Sequence, residues 1–337
     1  MPGKEGSRVR KLVSMVLIVV LLAAVAFFGV SLVRREAKEE MYPGLDLQSL
    51  HNSGIDGAGV SVAIIDQKLL VSHEEYAANL VHYEEQKPLD HEPNSMHGPA
   101  VSSILVGKNC GVAPGANLYY WAVPVRGDEP GGVRYAQAVR NIIEFNESLP
   151  KERQIRVLSI STGFSGDDGG DDFLSAVREA WDSGIIVLTS SFPYFTDPVI
   201  AVYGAALKRG GSRDRADDYI VQPLVVEHTG RSAEEIARLR NQQGDGQTSY
   251  APVWVPVEPR VLASSKGDGK YERFDEGGDS WATPYVAGVA ALILQVNPEL
   301  SNREVIQIIA DTTVENANGL KMIWPQQAVE RAGGEAD

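Results

Sequence analysis

Cysteine is nearly missing from this chain: Cys110 stands alone among 337 residues. A single cysteine excludes an intrachain disulfide framework, so a domain facing an oxidising compartment has to hold together by packing alone. Cys110 lies in the turn GKNCGVAPG and reads as a packed small residue, not a nucleophile. No internal repeat is visible, which excludes a stacked-repeat architecture. Basic residues are outnumbered, with 31 Lys and Arg against 45 Asp and Glu. Residues 1–40 hold seven of the basic and four of the acidic side chains, so residues 41–337 carry 24 against 41, a balance of −17. That balance argues against nucleic acid as a partner and fits a solvated acidic surface. The hydrophobic fraction of 43% is ordinary for a globular protein. The length suits one large α/β domain, since such domains of about 200–300 residues are routine.

One long apolar run is present. Residues 12–33 read LVSMVLIVVLLAAVAFFGVSLV, 22 residues without a charge. At about 1.5 Å per helical residue this covers a hydrocarbon core of about 30 Å. Ala24-Val25-Ala26 has the small residues of a signal-peptidase site, but Phe27, Phe28, Val30, Leu32 and Val33 carry the apolar run past it. The expectation is an uncleaved signal anchor over 12–33, single-pass in the cell membrane. Lys4, Arg8, Arg10 and Lys11 precede the span, and Arg34, Arg35 and Lys38 follow it. This small excess orients residues 1–11 to the cytoplasm and the acidic domain to the outside. Residues 34–47 then form a linker, 48–332 the domain and 333–337 a loose tail. A linker of that length leaves no room for a folding pro-domain, so maturation without one is expected.

Three segments carry candidate chemistry. Residues 278–298 read GDSWATPYVAGVAALILQVNP. Ser280 lies two residues after a glycine, and Thr283-Pro284 is expected to open a small-residue helix. A serine at such a helix start sits beside unpaired backbone N–H groups, where the helix dipole favours developing negative charge. Taken alone, the segment fits a serine N-cap on a buried helix equally well. Residues 57–66 read GAGVSVAIID: a glycine turn, a β-branched run suited to a buried parallel strand, and Asp66 at the strand's C-terminal end. Residues 97–116 read HGPAVSSILVGKNCGVAPGA, with His97-Gly98 at the head of a helical stretch and a strand over 118–123 behind it. Asp, His and Ser thus follow one another at element boundaries, one of the chain orders in which hydrolytic triads occur.

Between these segments, strand and helix signals alternate. Residues 133–145 and 173–182 have helical spacing, and 155–160 and 185–188 read as buried strands. Residues 196–252 are polar, Gly-rich and mixed in charge, with a capping box at Ser232–Glu235, and are expected to be a surface insertion. A second capping box, Ser301–Glu304, opens a C-terminal helix.

The motifs GVSVAIID, HGPAVSSILVG…GVAPGANL and GDSWATPYVAGVAALIL resemble those of the subtilases, the subtilisin-like serine peptidases. VLSISTG at 157–163, GIIVLTSS at 184–191 and VPVEPRVLAS at 255–264 are weaker matches in the same order. The resemblance covers roughly residues 45–315. It implies a three-layer α/β sandwich with a mostly parallel central sheet flanked by helices. It implies an endopeptidase acting on peptides or proteins, with Ser280 as nucleophile, His97 as general base and Asp66 orienting the imidazole. It also implies that Ser161-Thr162-Gly163 pairs with the substrate backbone. No cofactor is needed for this chemistry. The acidic run Asp167-Asp168-Gly169-Gly170-Asp171-Asp172 is where a calcium ion would bind if the domain holds one, though its spacing fits no defined loop and a solvated turn is the alternative.

Several residues depart from the family pattern. Gln67 and Lys68 stand where a small residue and glycine are usual, and Pro99 and Asp279 each replace a threonine. The strand over 184–188 leads to Thr189-Ser190-Ser191-Phe192-Pro193 and not to the asparagine that completes the oxyanion hole. Ser190 and Ser191 are then the candidate second donors. This leaves an alternative function, a catalytically impaired pseudopeptidase that binds peptides or a partner protein in the retained groove.

Overall fold

The structure, a computed structural model, describes residues 39–89, 91–190, 199–242 and 250–334. Contacts divide the chain into residues 1–41 and the unit Tyr42–Asp337, to which everything below refers. The apolar span expected over 12–33 lies outside the described residues. Among the described residues, no helix is long and apolar enough to cross a membrane.

After a short helix α1 (Leu47–Asn52), strands and helices alternate: β1 (Ser61–Asp66), β2 (Leu80–Glu85), α2 (His97–Val106), β3 (Asn117–Ala122), α3 (Gly131–Glu147), β4 (Ile155–Ile160), α4 (Gly170–Asp182) and β5 (Ile186–Thr189). The five strands pair in the order β2-β3-β1-β4-β5, every pair parallel. Parallel neighbours need crossover connections and become covered on both faces, which is why SVAIID and IVLT are apolar runs without alternation. On one face, Ile142 and Val139 of α3 and Phe173, Ala176 and Val177 of α4 pack on Ala63, Ile65, Tyr119, Trp121, Leu158 and Ile160.

The second half supplies β6 (Val199–Leu207), β7 (Tyr219–Val221), α5 (Pro223–Thr229), α6 (Ala233–Asn241), β8 (Tyr250–Glu258), β9 (Arg260–Ala263), β10 (Tyr271–Phe274), α7 (Asp279–Val296), α8 (Asn302–Asp311), β11 (Val314–Glu315), β12 (Lys321–Met322) and α9 (Pro325–Ala332). A second five-stranded sheet runs β11-β12-β8-β6-β7, with β6–β8 parallel and β6–β7 antiparallel, and β9–β10 is a separate antiparallel pair. Helix α7 is the hub between the sheets: it packs on β1, β4 and β5 on one side, on β6 and β8 on the other, and along α2. Fourteen of its residues are buried, Trp281 through Leu294. The mostly parallel, helix-flanked sheet expected from the sequence is therefore present.

Two expectations are corrected. The stretch 196–252 is not a surface elaboration throughout, because β6 runs through it with Ile200, Ala201, Val202, Tyr203, Ala205 and Ala206 buried. Its nine-residue apolar run is flanked by charge-mixed segments that mask it in the sequence; α6 does start where expected, capped by Ser232, whose side chain accepts from the Glu235 N–H. Helix α7 does not open at Thr283-Pro284 but four residues earlier, at Asp279. Ser280 is thus inside the first turn, and Pro284 is inside the helix.

Candidate active site

Asp66 ends β1 and is 3% exposed. Its carboxylate accepts from His97 Nδ1 at 2.9 Å (Oδ1) and 2.8 Å (Oδ2), and Oδ1 also takes the Gln67 N–H at 2.7 Å. His97 is the first residue of α2, and its backbone N–H donates to Ser95 Oγ at 2.9 Å. Ser95 in turn donates to Gln67 Oε1 at 2.5 Å, so Gln67, unusual for the family, ties the strand end to the helix start. Gly98 is required by close approach: a Cβ there would lie 2.5 Å from Tyr120 Oη and 3.0 Å from the Gln67 carbonyl. Pro99 falls in the first helical turn, where no N–H is needed. Lys68 turns away, its ammonium donating to the carbonyls of Leu89 (2.7 Å) and Glu92 (3.1 Å). Burial pulls the His97 pKa down, but the charge of Asp66 and its hydrogen bond together outweigh that and hold it above the ordinary imidazole value.

Ser280 is held differently. Its hydroxyl donates to the Ser161 carbonyl at 3.1 Å, and the Ser161 hydroxyl donates back to the Ser280 carbonyl at 2.9 Å. Sequence explains the second bond. In an α-helix the Ser280 carbonyl would take the N–H of residue 284, and Pro284 has none, so the carbonyl is left for Ser161. The structure brings Asp66 and His97 into direct contact, while the hydroxyl of the candidate nucleophile Ser280 rests on Ser161 and not on the imidazole. The ring of the next residue, Trp281, stacks on His97.

Around the expected oxyanion position, the Ser280 N–H belongs to the first helical turn, which has no intrahelical acceptors. Ser190 follows β5, and its hydroxyl is 3.2 Å from Thr283 Oγ1, one turn along α7. Ser191 lies outside the described residues. Asp279 turns toward β6, where its carboxylate accepts from the Gly204 N–H at 3.1 Å. Burial raises its pKa, against the Gly204 bond and the charge of Arg240.

Ser161, Thr162 and Gly163 continue from β4 and pass from buried to exposed. Beside them opens a cleft of about 580 Å³ whose walls include Gln67, Val125, Arg126, Arg134, Thr162 and Phe164. Two large apolar side chains exposed nearby are Val125, in that wall, and Met96, which precedes His97. In the acidic run, Asp168 caps α3 by accepting the Gly131 N–H at 2.9 Å. Among the described residues, no group of three or more His, Cys, Asp or Glu could hold a metal ion. Cys110 is fully buried, its thiol donates to the Val261 carbonyl at 3.4 Å, and burial pushes its pKa up, so it is no nucleophile.

The model of the subtilase family (Peptidase_S8) matches residues 57–191 and 246–332, a range that holds Asp66, His97 and Ser280. The chain belongs to the subtilase family. Among curated proteins, the serine protease AprX of Bacillus subtilis (strain 168) is 28% identical over 289 residues, which are 77% of this chain and 62% of that protein. Subtilisin E of the same organism is 26% identical over 279 residues, 80% of this chain and 64% of subtilisin E. The chain thus spans slightly less than two thirds of the length of these relatives. Among solved structures, the prenylagaramide maturation protease PagA superposes with a TM-score of 0.57 at 18% identity, covering 86% of this chain and 99% of PagA. The self-cleaved protease domain of PatA gives 0.54 at 20% identity, covering 83% and 98%. These structural likenesses bear on the fold. The subtilase match leaves residues 192–245 uncovered, yet that segment contains β6 and Gln222, which reaches back to the loop before Ser280. Sequence reasoning passed over Gln222 and also Trp281. The second had a signal, since a large aromatic directly follows the candidate nucleophile.

Proposed function

We propose that this chain is a serine-type endopeptidase, anchored in the cell membrane by residues 12–33 with its catalytic domain outside the cytoplasm. Its substrates are peptides or proteins. Ser280 attacks the scissile carbonyl, His97 takes the hydroxyl proton at Nε2 and later gives it to the leaving amine, and Asp66 holds the imidazole through Nδ1 and stabilises its cation. Water then hydrolyses the acyl-enzyme by the same route. The Ser280 N–H is one oxyanion donor, and Ser190 or Ser191 is the second. The observation that carries this reading is the contact of His97 Nδ1 with both Asp66 carboxylate oxygens, next to Gln67 in the cleft wall. The reaction requires the substrate to release Ser280 from Ser161. An extended peptide does this naturally when its own backbone N–H groups compete for carbonyls of the Ser161–Gly163 segment that follows β4.

The decisive experiment treats the full chain, in membranes and after purification, with a fluorophosphonate probe. Labelling that disappears in Ser280→Ala supports the reading. A folded protein that neither labels nor cleaves peptides overturns it in favour of a peptide-binding pseudopeptidase. Protease added to intact cells should remove the domain and spare an N-terminal fragment. A mature chain starting at Phe27, or a domain shielded until lysis, overturns the anchored topology.

A further inference from the structure

The acid–base contacts leave the aromatic ring beside the nucleophile without a role. Trp281 is 4% exposed, and its indole lies against the His97 imidazole with centroids 5.4 Å apart and planes 29° from parallel. Phe274, the last residue of β10, meets the indole edge to face at 5.4 Å and 70°. Gly277 closes another side: a Cβ there would lie 2.2 Å from the indole Cδ1, so no larger residue leaves room for the ring. Gly277 is itself clamped. Its N–H donates to Glu258 Oε2 at 2.6 Å, and its carbonyl accepts from Gln222 Nε2, which also donates to Glu258 at 3.0 Å. The indole N–H is buried and has no hydrogen-bond partner among the described residues. A buried donor left unpaired is unfavourable, so the ring faces, not the polar edge, hold Trp281 where it is.

His97 needs such a support. At Nδ1 it is fixed by Asp66, but the Ser280 hydroxyl that would anchor its other edge donates to Ser161. The charged groups about it are few. Asp66 comes from β1, the Asp279 carboxylate on α7 is aimed at Gly204, and Lys68 ends on two carbonyls. Ser161, at the end of β4, brings no charge. Asp66 is therefore the charged group that biases the ring toward its cationic form, and the indole face lies against that same ring.

We propose that Trp281 is a positioning residue for His97: its face fixes the plane of the imidazole, and its π electrons favour the imidazolium that forms when Ser280 gives up its proton. This rests on the reading of His97 as general base. In that step the Ser280 O–H bond breaks as Oγ bonds to the substrate carbonyl carbon, and the proton goes to His97 Nε2. Trp281 exchanges neither proton nor electron and acts only through the ring it touches.

The test labels the six histidines of the full chain with ¹³C at Cε1 and assigns His97 by His97→Asn. In the wild type, the carbon-bound imidazole protons of His97 should be displaced upfield by the indole ring current. In Trp281→Met, which keeps an apolar gap-filler, the His97 titration midpoint should fall by about half a pH unit, while Trp281→Phe stays near wild type. With peptide substrate, Trp281→Met should lower kcat by about three- to tenfold, with KM within about twofold and the acidic limb of the pH profile moved down in step with the titration. His97 protons at ordinary positions in the wild type, or an unchanged midpoint in Trp281→Met, overturn the proposal. The ring-current shift is read without any substitution, so a Met variant that fails to fold leaves the test intact. Neither spectroscopic measurement requires turnover. A chain that shows the ring-current shift but hydrolyses nothing overturns the peptidase reading and the catalytic half of this proposal, with the stack itself demonstrated.

Discussion

The two ends of the candidate site are built on opposite physical footings. At the acid–base end, Asp66 and His97 are pinned by a buried strand end, a helix start, one bifurcated charge-assisted hydrogen bond and the Gln67–Ser95 tie. At the nucleophile end, Ser280 is held by two neutral hydroxyl–carbonyl bonds to Ser161, and the neighbouring Ser190 hydroxyl is engaged with Thr283. Hydrogen bonds to charged groups contribute about 1.5–3 kcal/mol net and neutral ones nearer 1. The first end is therefore fixed before substrate arrives, whereas the second can rearrange when substrate competes for the same carbonyls.

The comparison is broken most severely by removing a member of the proposed triad. Alanine at Ser280, His97 or Asp66 should cut turnover by about 10⁴-fold or more, and the triple variant should cost little beyond Ser280→Ala because the residues act as a unit. Undiminished peptide hydrolysis by Ser280→Ala would end the peptidase reading. His97 has to be neutral to act as base, so its raised pKa should set the acidic limb of kcat/KM above the ordinary imidazole value. Asp66→Asn should move that limb downward as well as lowering its height. In stability terms, a raised folded-state histidine pKa favours the fold fully below the unfolded value, and this contribution is lost as pH rises through the folded one.

Next in size is the oxyanion segment. Asparagine introduced at Ser191 or Phe192 should raise kcat by up to about 10²-fold while changing KM less, because the added donor acts in the transition state. If Ser190→Ala and Ser191→Ala leave turnover unchanged and neither asparagine variant accelerates it, the nucleophile end is not limited there.

The Ser161–Pro284 relation gives a sharper and smaller test. Ser161→Ala leaves the half-buried Ser280 carbonyl without this partner and should destabilise by about 1 kcal/mol in denaturant titration. Pro284→Ala restores a helical N–H to that carbonyl, so the double variant should be less destabilised than the sum of the two singles. Strict additivity would show that the two residues do not share this carbonyl.

The smallest effect is expected from Asp279→Asn. The buried Asp279 carboxyl has a raised pKa, so its ionisation opposes folding above the ordinary carboxylate range and is neutral below it. The asparagine variant keeps an acceptor for Gly204, and should be slightly more stable than wild type near pH 7 but not in acid. With one negative charge fewer near the developing oxyanion, kcat should rise by less than about tenfold. A variant less stable at neutral pH would mean that the charged form is the one the site favours.

Much of this was legible in the chain. The strands holding Asp66 and Ile155–Ile160, the helices after His97 and Gly131, and both serine caps follow from local patterns of apolar runs, helical spacing and side-chain–backbone bonds, which act over a few residues. The order Asp66, His97, Ser280 and the missing asparagine were equally plain, because motifs are local too. What the sequence did not contain in readable form depends on neighbours far along the chain. The start of α7 moved to Asp279 because Ser161, 119 residues away, relieves the carbonyl that Pro284 strands. Strand β6 was lost among its charged flanks, since only pairing with β8 makes its burial evident. The stack of Trp281 on His97 and the resting place of the Ser280 hydroxyl are likewise tertiary facts: ring contacts and single hydrogen bonds are decided by how α2, β4 and α7 converge, and no local periodicity encodes that convergence.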